Sequence, residues 1–391
     1  MNIIKRNVYI LAACNGLSIS SNVVILTISA LVSYSMVADK ILATVPIALQ
    51  QFSAMLLTAP ASYLMKHMGR KVGFFVGALL GILGGVLGCI GIFESNFILL
   101  CVGSFFFGGA NAFAFYYRFA VADIVSHDYR ARAISYVMAG GVVAAFIGSN
   151  LANVSREWIS SALYAGSFLS ICLLFAVIFL LLSFVNISKP GEVEAHQSGR
   201  SLRMIARQPA FMAAVLAGTI GYGLMSFLMC ATPLSMQNHA HAFSHISFVI
   251  QWHVLGMFAP SFVTGHLIKK FGIANIMFVG GLLNLLCVII NLAGTSLVHY
   301  WIALFILGIG WNFLFVSATT LLTETYDVAE KAKVQAFNDF LIFSVVAFTA
   351  LFAGVFHHKF GWTIVNIGCV PWIIIVLMGI WRFKKQRQLI N

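Results

Sequence analysis

Charged side chains are scarce in this sequence. Only 9% of its 391 residues are Asp, Glu, Lys or Arg, against about 25% in a soluble domain, which excludes an ordinary water-soluble enzyme. Acids are scarcer still, 11 against 23 Lys and Arg, and no cluster of them inside an apolar run offers an oxygen cage for sodium or calcium. The seven cysteines are scattered without a CxxC pair, so no disulfide framework is expected. Those inside apolar runs (Cys89, Cys101, Cys172, Cys287, Cys369) read as packing. The sequence has no Gly-rich phosphate loop, no GxSxG elbow and no paired buried carboxylates, so no enzymatic activity is expected. Without a nucleotide-binding domain, direct coupling to ATP is excluded as well. The net charge of +12 does not call for a nucleic-acid partner, because the basic residues sit in short clusters between apolar runs, the pattern that orients a membrane protein.

Apolar residues fill the space that charge leaves, making up 61% of the chain. A spanning helix takes about 20 of them in a row, and twelve such runs are present. They fall near 7–33, 41–65, 72–92, 97–121, 134–155 and 162–186, then 208–236, 247–268, 273–293, 298–322, 334–357 and 361–382. The expected fold is therefore an all-α membrane protein of twelve transmembrane helices. Leu11-Ala12-Ala13-Cys14 imitates a lipoprotein processing site, but the apolar stretch before Cys14 is too short for a signal h-region of about 7–15 residues. The run continues past Cys14 and reads as an uncleaved first helix. With the amino terminus inside, nineteen Lys and Arg fall on the inner side and three (Lys40, Arg156, Lys359) on the outer, with Arg118 near the inner end of the fourth span. That asymmetry predicts a cytoplasmic-membrane protein with both termini cytoplasmic.

A polar stretch divides the chain into an amino-terminal six-helix bundle (1–186), a cytoplasmic linker (187–207) and a carboxy-terminal six-helix bundle with a short basic tail (208–391). The halves repeat weakly. Leu64-Met65-Lys66-His67-Met68-Gly69-Arg70 returns as Leu267-Ile268-Lys269-Lys270-Phe271-Gly272-Ile273, and Phe105-Phe106-Phe107-Gly108 as Phe305-Ile306-Leu307-Gly308. Transporters built from repeats place their cargo near the midplane, at the repeat interface. Six plus six helices, a basic central loop and the Gly69-Arg70-Lys71 turn resemble the major facilitator superfamily over nearly the whole chain. The resemblance implies two pseudo-symmetric bundles and a turn that helps to latch the inner gate. The turn's usual acidic residue is absent, since Lys66, His67 and Met68 occupy the loop. Gly140, Gly141 and Gly148 in the fifth span lack the proline of the drug-antiporter signature, which disfavours drug efflux.

Ionisable residues within spans are the first functional candidates. Arg118 and Asp123 at the inner end of the fourth span, and Asp339 beside Asn338 on the eleventh, are candidates for gating or proton coupling. A second pattern lies on the seventh and eighth spans. Met225 and Met229 stand at i and i+4, as do His253 and Met257, so each pair shares a helix face. Counted from the inner helix ends, the two pairs fall at similar depths. Thioether plus imidazole is a soft ligand set that suits Cu(I), although methionine is equally an ordinary filler of helix cores. MxxxM followed by HxxxM, with Gln251-Trp252 and Phe258-Ala259-Pro260 around it, resembles the CcoA-type copper importers, a branch of the same superfamily that supplies copper for cytochrome oxidase assembly. The resemblance implies import of copper as cargo, with no resident cofactor, through Met225, Met229, His253 and Met257. His239, His241 and His245 in the outer loop between the seventh and eighth spans form a possible metal entrance.

The wider branch also holds carriers resembling riboflavin importers. A flat organic cargo such as riboflavin is therefore the alternative, and it draws on Tyr116, Tyr117, Tyr222, Trp252 and Trp311. A transporter-like receptor is a third reading, but no segment is large enough to serve as an output domain. The expected partners are copper or a small-molecule substrate and the lipid bilayer, with the chain acting as a monomer. Energy would come from the cargo gradient or from protons.

Overall fold

Lipid offers no hydrogen bonds to a backbone, so each apolar run must satisfy its own N–H and C=O groups within a helix. The computed structural model describes residues 3–125, 127–187, 199–327 and 330–390, and almost all of them outside the short connections are helical. The first part of the chain forms α1 (Ile3–Met36), α2 (Val45–Met68), α3 (Arg70–Phe93), α4 (Phe97–Ala114), α5 (Tyr117–Ile124), α6 (His127–Ser155) and α7 (Ala165–Ser183). The second part forms α8 (Leu202–Ala206), α9 (Pro209–Asn238), α10 (Phe243–Phe258), α11 (Ser261–Phe271), α12 (Ile273–Ala293), α13 (Leu297–Thr323) and α14 (Lys331–Ile390). Most of the expected linker, residues 188–198, lies outside the described residues.

Among the described residues nine helices are long and apolar enough to cross a membrane, and α10 with α11, bent by 43°, makes a tenth as one broken span. The longest of the nine, α14, covers two expected spans that part at Gly361, where φ is 74°. The apolar part of α6, Ala139–Ser155, is shorter than the others. Each of the twelve expected runs thus has its helix.

The surface confirms the solvent. Ile98, Tyr63, Phe348 and Leu180 are 72%, 68%, 62% and 60% exposed, whereas Ser20, Thr27, Gln50 and Asn366 are fully buried. In water such a distribution would aggregate. In a bilayer it is the stable one, and the protein is a multi-pass membrane protein.

The chain divides into two compact units, one of Met1–Val193 with His241–Val254, the other of Glu194–Ala240 with Leu255–Asn391. Each is built on the same plan. In the first, α1 packs on α6, α3 on α4 and α7, and α2 on α4. In the second, α9 and α12 both pack on α14, α12 on α13, and α11 on α13. The repeated loop motif is also one structure. Gly69 and Gly272 end one helix and begin the next with φ/ψ of 92°/154° and 85°/146°, a region open essentially to glycine alone. The fifth-span glycines serve packing. A Cβ on Gly140 would lie 3.0 Å from the Gly16 nitrogen, and one on Gly148 would lie 2.7 Å from the Ser20 carbonyl, so α1 and α6 touch backbone to backbone.

Candidate functional site

The first unit buries a cluster of carboxamides. Asn22 of α1 and Asn111 of α4 form a cyclic amide pair. Asn22 Nδ2 donates to Asn111 Oδ1 at 2.7 Å, and Asn111 Nδ2 donates to Asn22 Oδ1 at 2.8 Å. Gln50 Nε2 of α2 donates to the same Asn22 oxygen at 2.9 Å, and Asn22 Nδ2 also reaches the Ser18 carbonyl at 3.1 Å. Gln50 and Ser53 are fully buried, Asn111 is 5% exposed and Asn22 is half-buried. Gln50 Oε1 and Ser53 Oγ have no hydrogen-bond partner among the described residues. Leaving a buried acceptor unmade costs about 1–3 kcal/mol, so these two atoms are hydrogen-bonding capacity that the cluster itself does not use.

Ranking ionisable groups first passes over this cluster. Three carboxamides in separate apolar runs were the available signal. The residues expected at the gate of the same unit make simpler contacts. Lys71 of the Gly-basic turn donates to the Ser183 carbonyl at the end of α7, 3.0 Å away, a favourable place for a cation. The Arg118 guanidinium lies over the Phe119 ring, 4.9 Å from its centroid. The side chains of Asp123 and Lys66 lie outside the described residues.

The second unit supplies an aromatic cluster. Trp311 of α13 stacks on Phe315 at 4.9 Å and 10°, and meets Tyr222 of α9 edge-on at 5.2 Å and 75°. Phe258 of α10 closes on the Trp311 ring at 6.4 Å. Trp311 is 6% exposed, and its indole N–H has no hydrogen-bond partner among the described residues. The other expected aromatics are engaged elsewhere. Tyr116 donates to the Thr58 carbonyl, Tyr117 packs on Phe74, and Trp252 lies against Phe248.

Beside Trp311, Asn312 holds the broken span together. Pro260 lacks an N–H, and the helix parts there. Asn312 Nδ2 donates to the Met257 carbonyl at 2.7 Å and to Ser261 Oγ at 2.6 Å, while its Oδ1 lies 2.7 Å from Thr264 Oγ1. A separate cavity of about 490 Å3 opens between α9 and α14, lined by Phe227, Phe348, Phe352, Phe356 and Trp372. Phe348 and Trp372 are both more than half exposed, so this groove opens on the surface of the second unit.

The expected soft-metal ligands are all buried, Met225 and Met229 to 3% exposure, Met257 to 8% and His253 completely. Met225, Met229 and Met257 belong to the second unit and His253 to the first. Of the outer histidines, His239 Nδ1 lies 2.8 Å from the Ser235 carbonyl and 3.3 Å from the Tyr300 hydroxyl, within the second unit. His241 and His245 face each other at 6.1 Å in the first. Among the described residues no three His, Cys, Asp or Glu side chains are grouped to hold a metal ion. Asp339 accepts from Asn338 Nδ2 at 3.2 Å.

A clasp at the end of the linker was not visible in the sequence. Glu330, 1% exposed, accepts the Arg200 backbone N–H at 2.6 Å and the Arg200 guanidinium at 2.9 and 2.7 Å. The Asp327 N–H adds a fourth bond at 3.1 Å. The hydrogen bonds from Arg200 come first in holding the Glu330 carboxyl down to about 2.

Comparison with known proteins agrees with this architecture. A riboflavin transporter, RfnT, of Brucella anthropi (strain ATCC 49188) is 40% identical over 387 residues, covering 98% of this chain and 97% of its own. The uncharacterized MFS-type transporter YddS of Bacillus subtilis (strain 168) is 28% identical over 392 residues, covering 93% of this chain and 87% of its own. The crystal structure of a bacterial homolog of the human lysosomal transporter Spinster, in an inward-facing and unoccupied conformation, superposes with a TM-score of 0.72 over 98% of both chains at 14% identity, a likeness of fold. The family profile of the Major Facilitator Superfamily matches residues 8–341 and 225–390. Helix content, the doubled plan of the two units and these matches agree, and the chain belongs to the Major Facilitator Superfamily.

Proposed function

We propose that this secondary transporter imports riboflavin, or a flat heteroaromatic molecule much like it, across the cytoplasmic membrane as a monomer with both termini cytoplasmic. The observation that carries the reading is the end-to-end 40% identity with a riboflavin transporter. Two features of the sites fit it. The Trp311–Phe315–Tyr222 cluster offers π faces to a planar ring, and the carboxamides of the first unit offer uncharged donors and acceptors.

Import of copper for cytochrome oxidase assembly is the second reading. It is supported by Met225 and Met229, buried at i and i+4 on α9, and by the resemblance of that motif to CcoA-type importers. One experiment separates the two. Purified protein in liposomes is offered riboflavin and Cu(I) in parallel, with Met225→Ala and His253→Ala variants beside the wild type. Saturable flavin uptake that both variants retain is expected. Flavin uptake no greater than in protein-free liposomes would sink the riboflavin reading. Copper uptake that both substitutions abolish would establish the second in its place.

A further inference from the structure

The carboxamide cluster of the first unit does more than tie three helices together. A structural tie needs no spare valence, yet Gln50 Oε1 and Ser53 Oγ stand fully buried on α2 with no hydrogen-bond partner among the described residues. The cluster also has an orientation. Gln50 and Asn111 are buried, while Asn22 is half-buried and is the member through which the cluster can be reached. Both partners donate to the single oxygen of Asn22, at 2.9 and 2.8 Å, which fixes which way its carboxamide faces.

An Asn–Asn pair is a ring of two N–H···O=C bonds. Opening that ring frees two N–H donors and two carbonyl acceptors, of which only Asn22 Oδ1 keeps a partner, in Gln50, so an incoming molecule opens it without loss by offering two acceptors and one donor. A cargo edge with an acceptor alone, or a donor alone, leaves a buried amide group unmade, at about 1–3 kcal/mol. Groups of the form –CO–NH–CO– meet the requirement, with two carbonyl acceptors flanking one N–H donor. Carboxylates and cations do not meet it.

We propose that Asn22, with Asn111 and Gln50 behind it, is the specificity-determining contact for the imide edge of a flat heteroaromatic cargo. The proposal rests on the riboflavin reading, because the riboflavin ring system carries such an edge at N3. Quenching of flavin fluorescence is titrated with purified protein, using riboflavin and its N3-methyl derivative, which keeps the ring but loses the imide N–H.

Wild type is expected to bind riboflavin about tenfold to a hundredfold more tightly than the N3-methyl compound, the span of one or two lost hydrogen bonds. Asn22→Ala should bring that ratio close to one. Asn22→Gln, which keeps the carboxamide and so protects the fold, should leave an intermediate ratio. A purely structural role for Asn22 would lower the yield of folded protein and leave the ratio unchanged. Wild type that binds both compounds equally, or Asn22 variants that keep the wild-type ratio, would overturn the proposal and leave riboflavin as the cargo. Absence of any flavin binding by wild type would instead overturn the cargo reading, and this proposal with it.

Discussion

Substituting one glycine in the α11–α12 turn isolates the backbone's share of this protein's stability. A Cβ built on Gly272 meets nothing within 4 Å, and neither does one built on Gly265, seven residues earlier inside α11. Both positions are exposed, so alanine at either adds a methyl group to open space and creates no clash. They differ in φ and ψ. Gly272 sits at 85°/146°, where a non-glycine residue costs about 1–3 kcal/mol. Gly265 is helical, and there alanine gains about 0.5–1 kcal/mol over glycine. The two substitutions should therefore act in opposite directions. A change of 1 kcal/mol corresponds to roughly 2–4 °C in Tm for about 150–250 residues. Gly272→Ala should lower the melting midpoint of the detergent-purified protein by several degrees, and Gly265→Ala should raise it by a smaller amount. Intrinsic tryptophan fluorescence against temperature reads both. Equal midpoints for the two variants, or a Gly265→Ala midpoint below wild type, would refute the assignment of the turn to glycine's backbone freedom.

Two further outcomes follow from the polar contacts. Asn312→Leu strips the Met257 carbonyl of its donor and should cost about 1–3 kcal/mol. Asn284→Ala should cost less, because both carboxamide atoms of the buried Asn284 have no hydrogen-bond partner among the described residues; thermal melts of the two variants compare them. At the linker clasp, Glu330 is held down to about 2 in the folded protein from an ordinary value of 4.5. Its contribution is thus complete above the ordinary value and is lost as the pH falls towards about 2. Amide exchange at Arg200, followed by mass spectrometry and corrected for intrinsic rate, should show constant protection from pH 7 to about 5 that weakens below it. Glu330→Gln should show weak protection throughout, and a wild-type profile that stays flat below pH 5 would contradict the clasp.

The fold was legible because lipid makes the message long. Twelve runs of some twenty apolar residues carry far more signal than any local motif, and the ninth expected run, 273–293, coincides with α12. The bend in the eighth run, read as one continuous span, was missed although Pro260 was its signal, whereas the Gly69 and Gly272 turns were marked by their repetition. Sites were less legible because they depend on which side chains meet across helices. Spacing placed Met225 and Met229 on one face of α9, but a face does not name its partners. Asn22, Gln50 and Asn111 come from three helices and follow no period along the chain. Arg200 and Glu330 meet across 130 residues. The comparisons show the same contrast of scale, since the resemblance to copper importers rests on four motif residues while the similarity to a riboflavin transporter runs along 98% of the chain.

The bend between α10 and α11 has a mechanical meaning beyond its shape. One turn of α13 carries both Trp311, which faces the aromatic cluster, and Asn312, which occupies the carbonyl that the broken helix leaves over. Phe258, pressed on the Trp311 ring, comes from the last residue of α10. Both sides of the break are therefore held to the same turn of α13, through the contact of Phe258 with Trp311 and through the hydrogen bonds of Asn312 to Met257 and Ser261. One turn of α13 thus ties a residue before the break to a residue after it.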